Sequence, residues 1–305
     1  MPDASPARFV AVDWGTSNFR AWLMAADGTS LAESHGHEGM LHAITAGFGS
    51  VLQQHLARLG APAGLPILMC GMAGARQGWV EAPYLHTPVR PDGLHRGAVR
   101  VAAPGDIRIL PGIAHMDPAC PDVMRGEETQ LLGAMPADYS GLVCIPGTHS
   151  KWVSVAAGRI AAFSTFMTGE LFSVLSAHSI LAHALEAGQT VTPDDPAFRA
   201  GLDAGMKDGL ESQLFRLRAA QLLGYEQRAQ GSARLSGLLI GSELGAARRR
   251  YGTEGSMLLL AAGPLGPLYE FALSSAGFDV TTMDAELAAR AGLARAAMKL
   301  WGGTF

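Results

Sequence analysis

The fold is decided by the stretch FVAVDWGTSNFRAWLMAADGTSL, residues 9–31. The apolar run Phe9–Val12 predicts a central strand that is buried on both faces. The second run, Phe19–Ala25, predicts a neighbouring strand, and an Asp-Gly pair after it is typical of a tight hairpin that leads into a third strand. Between the first two strands lie a carboxylate, Asp13, and the small polar turn Gly15–Asn18. A carboxylate at the end of a buried strand, followed by such a turn, calls for a functional explanation.

The same order of elements returns in GLVCIPGTHSKWVSVAAGRIAAFSTF, residues 141–166. A strand over Leu142–Ile145 is followed by the small polar turn Gly147–Ser150, a second strand, a hairpin turn and a third strand. Gly147 aligns with Gly15 at an offset of 132 positions. This internal repeat predicts two homologous lobes that face each other across a cleft, each opening on a three-stranded meander followed by helices.

The two turns suit the binding of phosphate. A Gly-Thr turn between strands directs several backbone N–H groups and a hydroxyl into one concave spot, which binds phosphate oxygens without a basic side chain. Asp13 next to the first turn suits Mg²⁺ held through water, because Mg²⁺ prefers a carboxylate together with substrate phosphates. The alternative is that Asp13 and Thr16 only shape a hairpin. The repetition of the turn favours the phosphate interpretation.

Composition excludes several classes of protein. The chain has 305 residues and a formal net charge of -4, which gives no electrostatic footprint for nucleic acid. The basic cluster Arg248–Arg250 is short and fits a solvated helix end. No apolar run reaches the roughly 18 residues of a membrane span, and the N-terminus lacks a basic-then-apolar signal sequence. We therefore expect a cytoplasmic protein that binds neither nucleic acid nor membrane.

Motifs for other chemistries are missing from the sequence. Neither a Walker phosphate loop nor a strand-linked G-x-G-x-x-G motif occurs. The cysteines are scattered without CxxC spacing, so neither a zinc knuckle nor a disulfide framework is indicated. Three histidines that are close in sequence lack the spacing of a metal site. These residues are Cys70, Cys120 and Cys144, and His35, His37 and His42.

Six motifs occur in the order found in the 2-dehydro-3-deoxygalactonokinase family, a branch of the sugar kinase, heat-shock-protein and actin superfamily of ATPases. The motifs are VDWGTSNFRAW (12–22), GMAGARQGWVEAPYL (71–85), VMRGEETQLLGA (123–134), PGTHSKWV (146–153), MTGEL (167–171) and LSGLLIGSEL (235–244). The resemblance spans essentially the whole chain. It implies a two-lobed α/β fold of the ribonuclease H-like, actin-like ATPase type, with duplicated βββαβα units around an interlobe cleft. It further implies ATP-dependent phosphorylation of the 6-hydroxyl of 2-dehydro-3-deoxy-D-galactonate in galactonate catabolism.

The expected lobes follow from the repeat and from the helical patterns. The N-terminal lobe is expected to comprise residues 1–122 and about 284–305, with a last helix that begins after the cap residue Asp284. The C-terminal lobe is expected to comprise residues 123–283. Within the first lobe, residues 45–59 predict one amphipathic helix.

The resemblance assigns roles residue by residue. Asp13 is expected to be the catalytic carboxylate associated with Mg²⁺ through water. The ATP-binding residues are expected to be Gly15, Thr16, Ser17, Asn18, Arg20, Gly147, Thr148 and His149, with Gly263 next to adenosine. The sugar-acid residues are expected to be Gly71, Trp79, Arg125, Lys151, Thr168 and Gly169, of which Lys151 also suits the γ-phosphate and Arg125 suits a substrate carboxylate. Two alternatives stay open, namely that Arg20 is a salt-bridged strand residue and that Trp79 packs in the core.

The general base is expected in the RGEETQLLGA segment, which also resembles the GxEEA helix start of the polyphosphatase branch of the superfamily. That alignment selects Glu128, with Glu127 adjacent; which of the two is the base stays open. The alternative is that both acids only favour a helix N-terminus. The second phosphate turn departs from many superfamily members, since Ile145 and Pro146 stand where those members carry an aspartate.

Other functions also stay open at this point. They are a kinase for the gluconate epimer, a phosphohydrolase of the same superfamily, and a non-catalytic actin-like or sugar-sensing protein. The expected partners are ATP and a small sugar acid, and a homodimer is left open.

Overall fold

The computed structural model describes residues 6–186 and 188–302 of the chain. These residues form two compact units. The first unit contains the described residues up to Tyr139, Val155–Ala162 and the described residues from Asp284 onward; the second contains Ser140–Ser154 and Phe163–Met283. The expected boundary between residues 122 and 123 differs from this division. Residues 123–139 group with the first unit because their helix packs against the C-terminal helix of the chain.

The first unit begins with three strands and a fourth that pairs parallel to the first. The opening elements are β1 (Ala7–Trp14), β2 (Phe19–Ala25), β3 (Ser30–Gly36), α1 (Met40–Ala46), α2 (Phe48–Arg58) and β4 (Ile67–Gly71). Each apolar run of the opening stretch forms a strand, and Phe9–Val12 is fully buried as expected. The single helix expected over residues 45–59 is wrong, since Gly47, with φ +86°, separates α1 from α2.

Short strands and one helix complete the N-terminal part of the first unit. They are β5 (Tyr84–His86), β6 (Val99–Arg100), β7 (Ile107–Ile109), β8 (Gly112–His115), β9 (Asp122–Met124) and α3 (Glu127–Ala134). The main sheet has the order β3-β2-β1-β4-β7-β6, and a smaller sheet has the order β5-β8-β9. Strand β9 leads directly into α3, so the small sheet positions the turn that carries the paired glutamates.

The second unit repeats the sheet of the first. Its elements are β10 (Gly141–Ile145), β11 (Ser150–Ala156), β12 (Arg159–Phe166), α4 (Thr168–His178), α5 (Pro196–Lys207), α6 (Leu210–Leu222), α7 (Arg228–Tyr251), β13 (Ser256–Ala261), α8 (Leu265–Ser275) and β14 (Asp279–Asp284). The hairpin between β11 and β12, Val155–Ala162, groups with the first unit. The sheet order is β12-β11-β10-β13-β14, which matches β3-β2-β1-β4-β7 strand for strand. In both sheets the first strand lies parallel to the fourth. The repeated strand order is therefore a property of the fold, as the sequence repeat predicted.

Close backbone contact joins α5 to α7 in the second unit. A Cβ added to Gly237 would lie 2.1 Å from the carbonyl oxygen of Phe198, and one added to Gly241 would lie 2.2 Å from that of Leu202. Such distances are far below van der Waals contact, so only glycine fits at these positions. The helix α7 consequently lies deep in the second unit, beside the buried strands β10 and β13.

The chain ends on α9 (Ala285–Trp301), which belongs to the first unit. Asp284 caps this helix as expected, because its side chain accepts hydrogen bonds from the backbone N–H groups of Glu286 and Leu287 at 2.9 and 2.8 Å. Helix α9 packs on α3 through Gly133 and Gly292, where an added Cβ would lie 1.9 Å from the opposing backbone oxygen. No helix in the described part of the chain combines the length and hydropathy that crossing a membrane requires.

Candidate active site

The first polar turn is held by backbone hydrogen bonds at the end of β1. The N–H of Gly15 donates to the carbonyl of Asn18 at 2.9 Å, and the N–H of Met40 donates to the carbonyl of Gly15 at 2.9 Å. Gly39 backs the turn so closely that an added Cβ would lie 2.4 Å from the carbonyl oxygen of Thr16. The residues from Thr16 to Asn18 are exposed. The turn is thus fixed from behind and presents small polar groups to solvent.

Asp13 lies at the carboxyl end of β1, and its side chain is only 16% exposed. Arg20 Nη1 is 3.4 Å from its Oδ2, and the thiol of Cys70 on β4 lies 3.7 Å from its Oδ1. Burial raises the pKa of Asp13, the charge of Arg20 opposes this, and the nearby charges of Glu127 and Glu286 raise it further. This carboxylate therefore sits in a negative environment that only one arginine partly offsets.

Arg20 is an ion-paired strand residue. Besides Asp13, its Nε lies 3.4 Å from Glu286 Oε2 at the start of α9. Glu286 also lies 3.6 Å from His35. The open alternative for Arg20, a salt bridge within the sheet, is thus the arrangement that the structure contains.

The paired glutamates sit at a tight turn before α3. Gly126, with φ +112°, has a conformation that side chains rarely adopt. Its N–H donates to both carboxylate oxygens of Glu128, at 2.9 and 2.7 Å. Glu127 Oε2 accepts from the backbone N–H of Arg125 at 3.1 Å. Each glutamate therefore closes the turn through the residue two positions before it.

The two glutamates differ sharply in exposure. Glu128 is completely buried, and burial, reinforced by the charge of Glu127, raises its pKa to about 8. Thr129 Oγ1 adds a further hydrogen bond to its carboxylate at 3.2 Å. Glu127 is half-buried. Of the pair, Glu127 is the one that is partly exposed.

Tertiary packing brings the Asp13 strand end and the glutamate turn together. A Cβ added to Gly71, at the end of β4, would lie 2.5 Å from the carbonyl of Trp14 and 3.5 Å from Asp13 Oδ1. One added to Gly126 would lie 3.5 Å from the Cα of Gly71. Gly71 is therefore the close-contact point between the two acidic segments, and a larger residue does not fit there.

Arg125, next to this acidic group, has guanidinium N–H donors without hydrogen-bond partners in the described structure. Its guanidinium stacks 4.4 Å from the ring centroid of Tyr84, and its Nη2 donates to the carbonyl of Ala82 at 2.8 Å. Its Nε and Nη1 are buried without a hydrogen-bond partner in the structure as described. Buried donors of a charged group are costly to leave unpaired, which points to a ligand with acceptor oxygens.

The second polar turn is held by the start of α4. The N–H of Glu170 donates to the carbonyl of Thr148 at 3.0 Å, and a Cβ added to Gly169 would lie 2.5 Å from the carbonyl oxygen of Gly147. The ring of His149 pairs with the carboxylate of Glu170. Thr148 and His149 are exposed. Both polar turns are therefore braced by a glycine from the element behind them.

A pocket of about 470 Å³ opens beside the second turn, within the second unit. Polar groups of the turn and of the start of α4 lie at one end, and apolar side chains of α7 and α8 form most of the remaining wall. Its lining includes Gly147, Thr148, Thr168, Gly169, Val191, Ser236, Leu239, Ile240, Pro264, Leu265, Leu268 and Tyr269. A mostly apolar cavity of this size with few convergent polar groups is typical of small-molecule sites.

Glu243 on α7 supports this pocket from within. It is buried, and its carboxylate accepts hydrogen bonds from Trp152 Nε1 at 2.8 Å, from the Tyr269 hydroxyl at 2.7 Å and from Thr168 Oγ1. Burial raises the pKa of Glu243, and these donors oppose the rise. Thr168 and Tyr269 both line the pocket, so their hydrogen bonds to Glu243 orient two of its lining side chains.

Comparisons with known proteins decide the family. The family model described as 2-keto-3-deoxy-galactonokinase matches residues 13–296. The chain belongs to this family. A relative from Rhizobium meliloti, assigned as a 2-dehydro-3-deoxygalactonokinase, is 47% identical over 96% of this chain and 97% of its own length. The 2-dehydro-3-deoxygalactonokinase of Escherichia coli is 35% identical over 94% of this chain and 96% of its own length.

Solved structures agree with the family and confirm the expected fold. A crystal structure from Sinorhizobium meliloti, assigned to the same activity, has a TM-score of 0.91 at 47% identity and covers 96% of this chain and 99% of that chain. Component A of (R)-2-hydroxyglutaryl-CoA dehydratase from Acidaminococcus fermentans has a TM-score of 0.54 at 13% identity, covers 98% of this chain and 99% of that chain, and supports the fold alone. Membership of the 2-keto-3-deoxy-galactonokinase family confirms that the chain is a kinase, a phosphotransferase, as expected.

Three of the residues predicted to bind the sugar acid belong to the second unit, and their contact with the substrate stays a prediction. Thr168 and Gly169 line the pocket of the second unit, and Lys151 on β11 of that unit is buried. Trp79 packs against Phe48 with stacked rings 5.9 Å apart and against Trp14 at 6.3 Å, which is the core alternative. In contrast, Asp13, Gly71, Arg125 and both glutamates come together in the first unit, and Gly147 and Thr148 border the pocket. Gly263, with φ +62°, lies just before the pocket residue Pro264.

Sequence reasoning missed the function of Glu243. The available signal was a single acidic residue within LSGLLIGSEL, a segment otherwise made of small and apolar residues. A lone carboxylate on a buried helix face needs donors around it, and those donors are Trp152, Thr168 and Tyr269.

Proposed function

We propose that this member of the 2-keto-3-deoxy-galactonokinase family transfers the γ-phosphoryl group of ATP to the 6-hydroxyl of 2-dehydro-3-deoxy-D-galactonate. The observation that carries the proposal is the match to two 2-dehydro-3-deoxygalactonokinases at 47% and 35% identity over at least 94% of the chain. Because ATP is a cytoplasmic co-substrate, we place the reaction in the cytoplasm. A homodimer stays a prediction.

The nucleotide is assigned to the pocket of the second unit. The apolar wall formed by Leu239, Ile240 and Leu268 suits the faces of an adenine ring. The Gly147–Thr148 turn and Thr168 at its polar end suit phosphate oxygens, through backbone N–H groups and hydroxyls. We therefore assign Thr168 to the nucleotide and not to the sugar acid.

The sugar acid is assigned to the first unit, with its carboxylate on Arg125. The unpaired donors Nε and Nη1 lie on different edges of the guanidinium, so each needs its own acceptor, and a carboxylate oxygen of the sugar acid would supply one of them. Stacking on Tyr84 and the hydrogen bond to Ala82 hold the guanidinium in place. Gly74 lies alongside, where an added Cβ would be 2.9 Å from Nη1, so the guanidinium leaves no room for a side chain there.

We assign the general base to Glu127 rather than Glu128. A base must reach the proton that it removes, and Glu128 is wholly buried with both oxygens on the N–H of Gly126. Glu127 is half-buried, and its charge contributes to the raised pKa of Asp13, so the two carboxylates are neighbours. Glu127 would accept the proton of the 6-hydroxyl as that oxygen attacks the γ-phosphorus, while Glu128 holds the turn in shape.

The acidic group of the first unit fits Mg²⁺. Asp13 is a mostly buried carboxylate whose pKa is raised by burial and by the charges of Glu127 and Glu286. A divalent cation would offset the repulsion among these carboxylates, which the charge of Arg20 offsets only in part. Carboxylate and phosphate oxygens are the donors that this ion prefers. Asp13 would hold it, through water, and the ion would supply charge neutralisation for the phosphoryl group.

A coupled assay of ADP release tests the proposal. ADP release that depends on 2-dehydro-3-deoxy-D-galactonate supports it, and a higher kcat/KM on the gluconate epimer would overturn the substrate assignment. Phosphate release without any sugar acid would indicate a phosphohydrolase, and no turnover on either epimer would leave the non-catalytic alternative.

The base assignment is tested by paired substitutions. We expect Glu127→Gln to lower kcat about 100-fold or more, the usual contribution of a general base, with the KM for ATP unchanged. Glu128→Gln, which retains an acceptor for Gly126, should lower kcat far less. A larger loss of kcat in Glu128→Gln than in Glu127→Gln would indicate that Glu128 is the general base. Asp13→Asn should raise the Mg²⁺ concentration that gives the half-maximal rate.

A further inference from the structure

A second cluster of chemically reactive side chains lies on the small sheet of the first unit, outside the proposed active site. Strands β8 and β9 are joined by the loop in HMDPACPD, residues 115–122. His115, Asp117 and Cys120 each direct a ligand atom to one place, with these atoms all within 4.8 Å of one another. No function proposed above uses these residues.

The three side chains form the kind of donor set that zinc prefers. Imidazole nitrogen, carboxylate oxygen and thiolate sulfur bind Zn²⁺ at about 2.0–2.3 Å, which separates ligands around a tetrahedral ion by roughly 3.5 Å. The ligand atoms lie within 4.8 Å of one another, so binding requires them to approach the ion by about an ångström at most. The H-x-D-x-x-C spacing lacks the CxxC signature, which explains why the sequence did not indicate a zinc site.

His115 is oriented by a hydrogen bond with Thr87, a residue from a different part of the chain. Thr87 Oγ1 lies 2.8 Å from His115 Nδ1. Metal-bound histidines characteristically use one ring nitrogen for the ion and the other for such a hydrogen bond. With Nδ1 held by Thr87, Nε2 is the nitrogen that would coordinate. Asp117 is ordered as well, since its Oδ1 accepts from the N–H of Ala119 at 2.9 Å.

We propose that the β8–β9 loop is a binding site for a thiophilic divalent cation, Zn²⁺ in particular, with ligands from His115, Asp117 and Cys120 and a water in the fourth position. Binding displaces the thiol proton of Cys120 to solvent, so affinity rises with pH. Of the cysteines, Cys120 alone is partly accessible, because Cys70 and Cys144 are buried.

The place of the site in the sheet gives it a structural consequence. His115 pairs with Asp122 at one end of β8 and β9, whereas Tyr84, Gly112 and Met124 lie toward the other end of the same sheet. Met124 is followed directly by Arg125. A cation that ties the loop would therefore restrain the strand that carries the arginine and glutamate turn.

Cobalt binding to the full-length, tag-free and reduced protein tests the site. We expect one equivalent of Co²⁺ to give a thiolate-to-cobalt charge-transfer band that Zn²⁺ displaces. Cys120→Ser should abolish the band, and Thr87→Val should weaken Zn²⁺ binding about 10–100-fold, as the loss of an orienting hydrogen bond does. His42→Ala, at an exposed histidine of α1, is the matched control and should leave the titration unchanged.

Each remaining outcome overturns the proposal. Without a band in the wild-type protein, no thiolate binds the metal. A band that survives in Cys120→Ser would come from another cysteine, and unchanged affinity in Thr87→Val would contradict the geometry. Circular dichroism of the variants shows that they fold, and the metal titrations are read without any kinase assay, so they test the site separately from the proposed function.

Discussion

Glu128→Gln should change how the stability of the first unit depends on pH. The carboxyl of Glu128 has a pKa of about 8 in the native protein, against an ordinary value of 4.5. Between these values the native state keeps a proton that the unfolded chain has released. The free energy of unfolding therefore falls as pH rises through this window, and it levels off above pH 8.

The magnitude follows from the two values. For one group with these pKa values, the linkage relation gives a loss on the order of 3–4 kcal/mol between pH 5 and pH 8. Glutamine resembles the protonated carboxyl in shape and retains an acceptor for the N–H of Gly126. We therefore expect Glu128→Gln to be more stable than wild type by only about 1 kcal/mol at pH 5 and by about 4 kcal/mol at pH 8.

Urea unfolding at several pH values, followed by tryptophan fluorescence, measures the effect. Four of the five tryptophans, Trp14, Trp22, Trp79 and Trp301, belong to the first unit, so the signal reports mainly on the unit that contains Glu128. Glu81→Gln, at an exposed glutamate, is the control and should keep the wild-type slope. Equal slopes in wild type and Glu128→Gln would refute the reasoning, because the buried carboxyl would then not be protonated in the native state.

Three further substitutions test other parts of the structure. Arg125→Lys removes the guanidinium donors but keeps the charge. Steady-state kinetics should show the KM for the sugar acid raised about 10–100-fold, as expected for one charged hydrogen bond, with the KM for ATP unchanged; equal effects on both substrates would contradict the assignment. Ser236→Trp places an indole in the pocket of the second unit, and calorimetry should detect no ATP binding by a variant that still folds. Normal ATP affinity would contradict the assignment of the nucleotide to this pocket. Asp284→Ala removes the cap of α9, and urea unfolding should show that the free energy of unfolding falls by about 1 kcal/mol. A fall of less than about 0.3 kcal/mol would show that the cap contributes little to stability.

Local patterns were enough to predict the strands around the first turn. The strand Phe19–Ala25 and the hairpin after it follow from apolar runs and an Asp-Gly pair, which act over a few residues. Helix α5 was not predicted, because its glycines lower helix propensity and become favourable only where α5 meets the backbone of α7. The break at Gly47 was missed because the apolar spacing runs on across it.

The candidate site was predictable in its residue types but not in its groupings. Asp13 and the glutamate pair could be singled out from motifs, yet only the close contact between Gly71 and Gly126 shows that they are neighbours. The exposure that separates Glu127 from Glu128 depends on packing around α3, which adjacent positions in a sequence do not reveal. Glu243 gains its role from donors 26 to 91 positions away in the chain.

The packing of α9 on α3 bears on how the protein is made. The glutamate turn opens α3, and α3 is covered by α9, whose contact residue Gly292 lies in the last element of the described chain, far after α3 in the sequence. The second unit, by contrast, is complete in sequence by Met283. During synthesis the later unit can therefore finish folding while the earlier one still waits for its closing helix. A nascent chain stalled before residue 285 would lack α9, so its glutamate turn would be without the helix that covers α3 while the pocket of the second unit could already form.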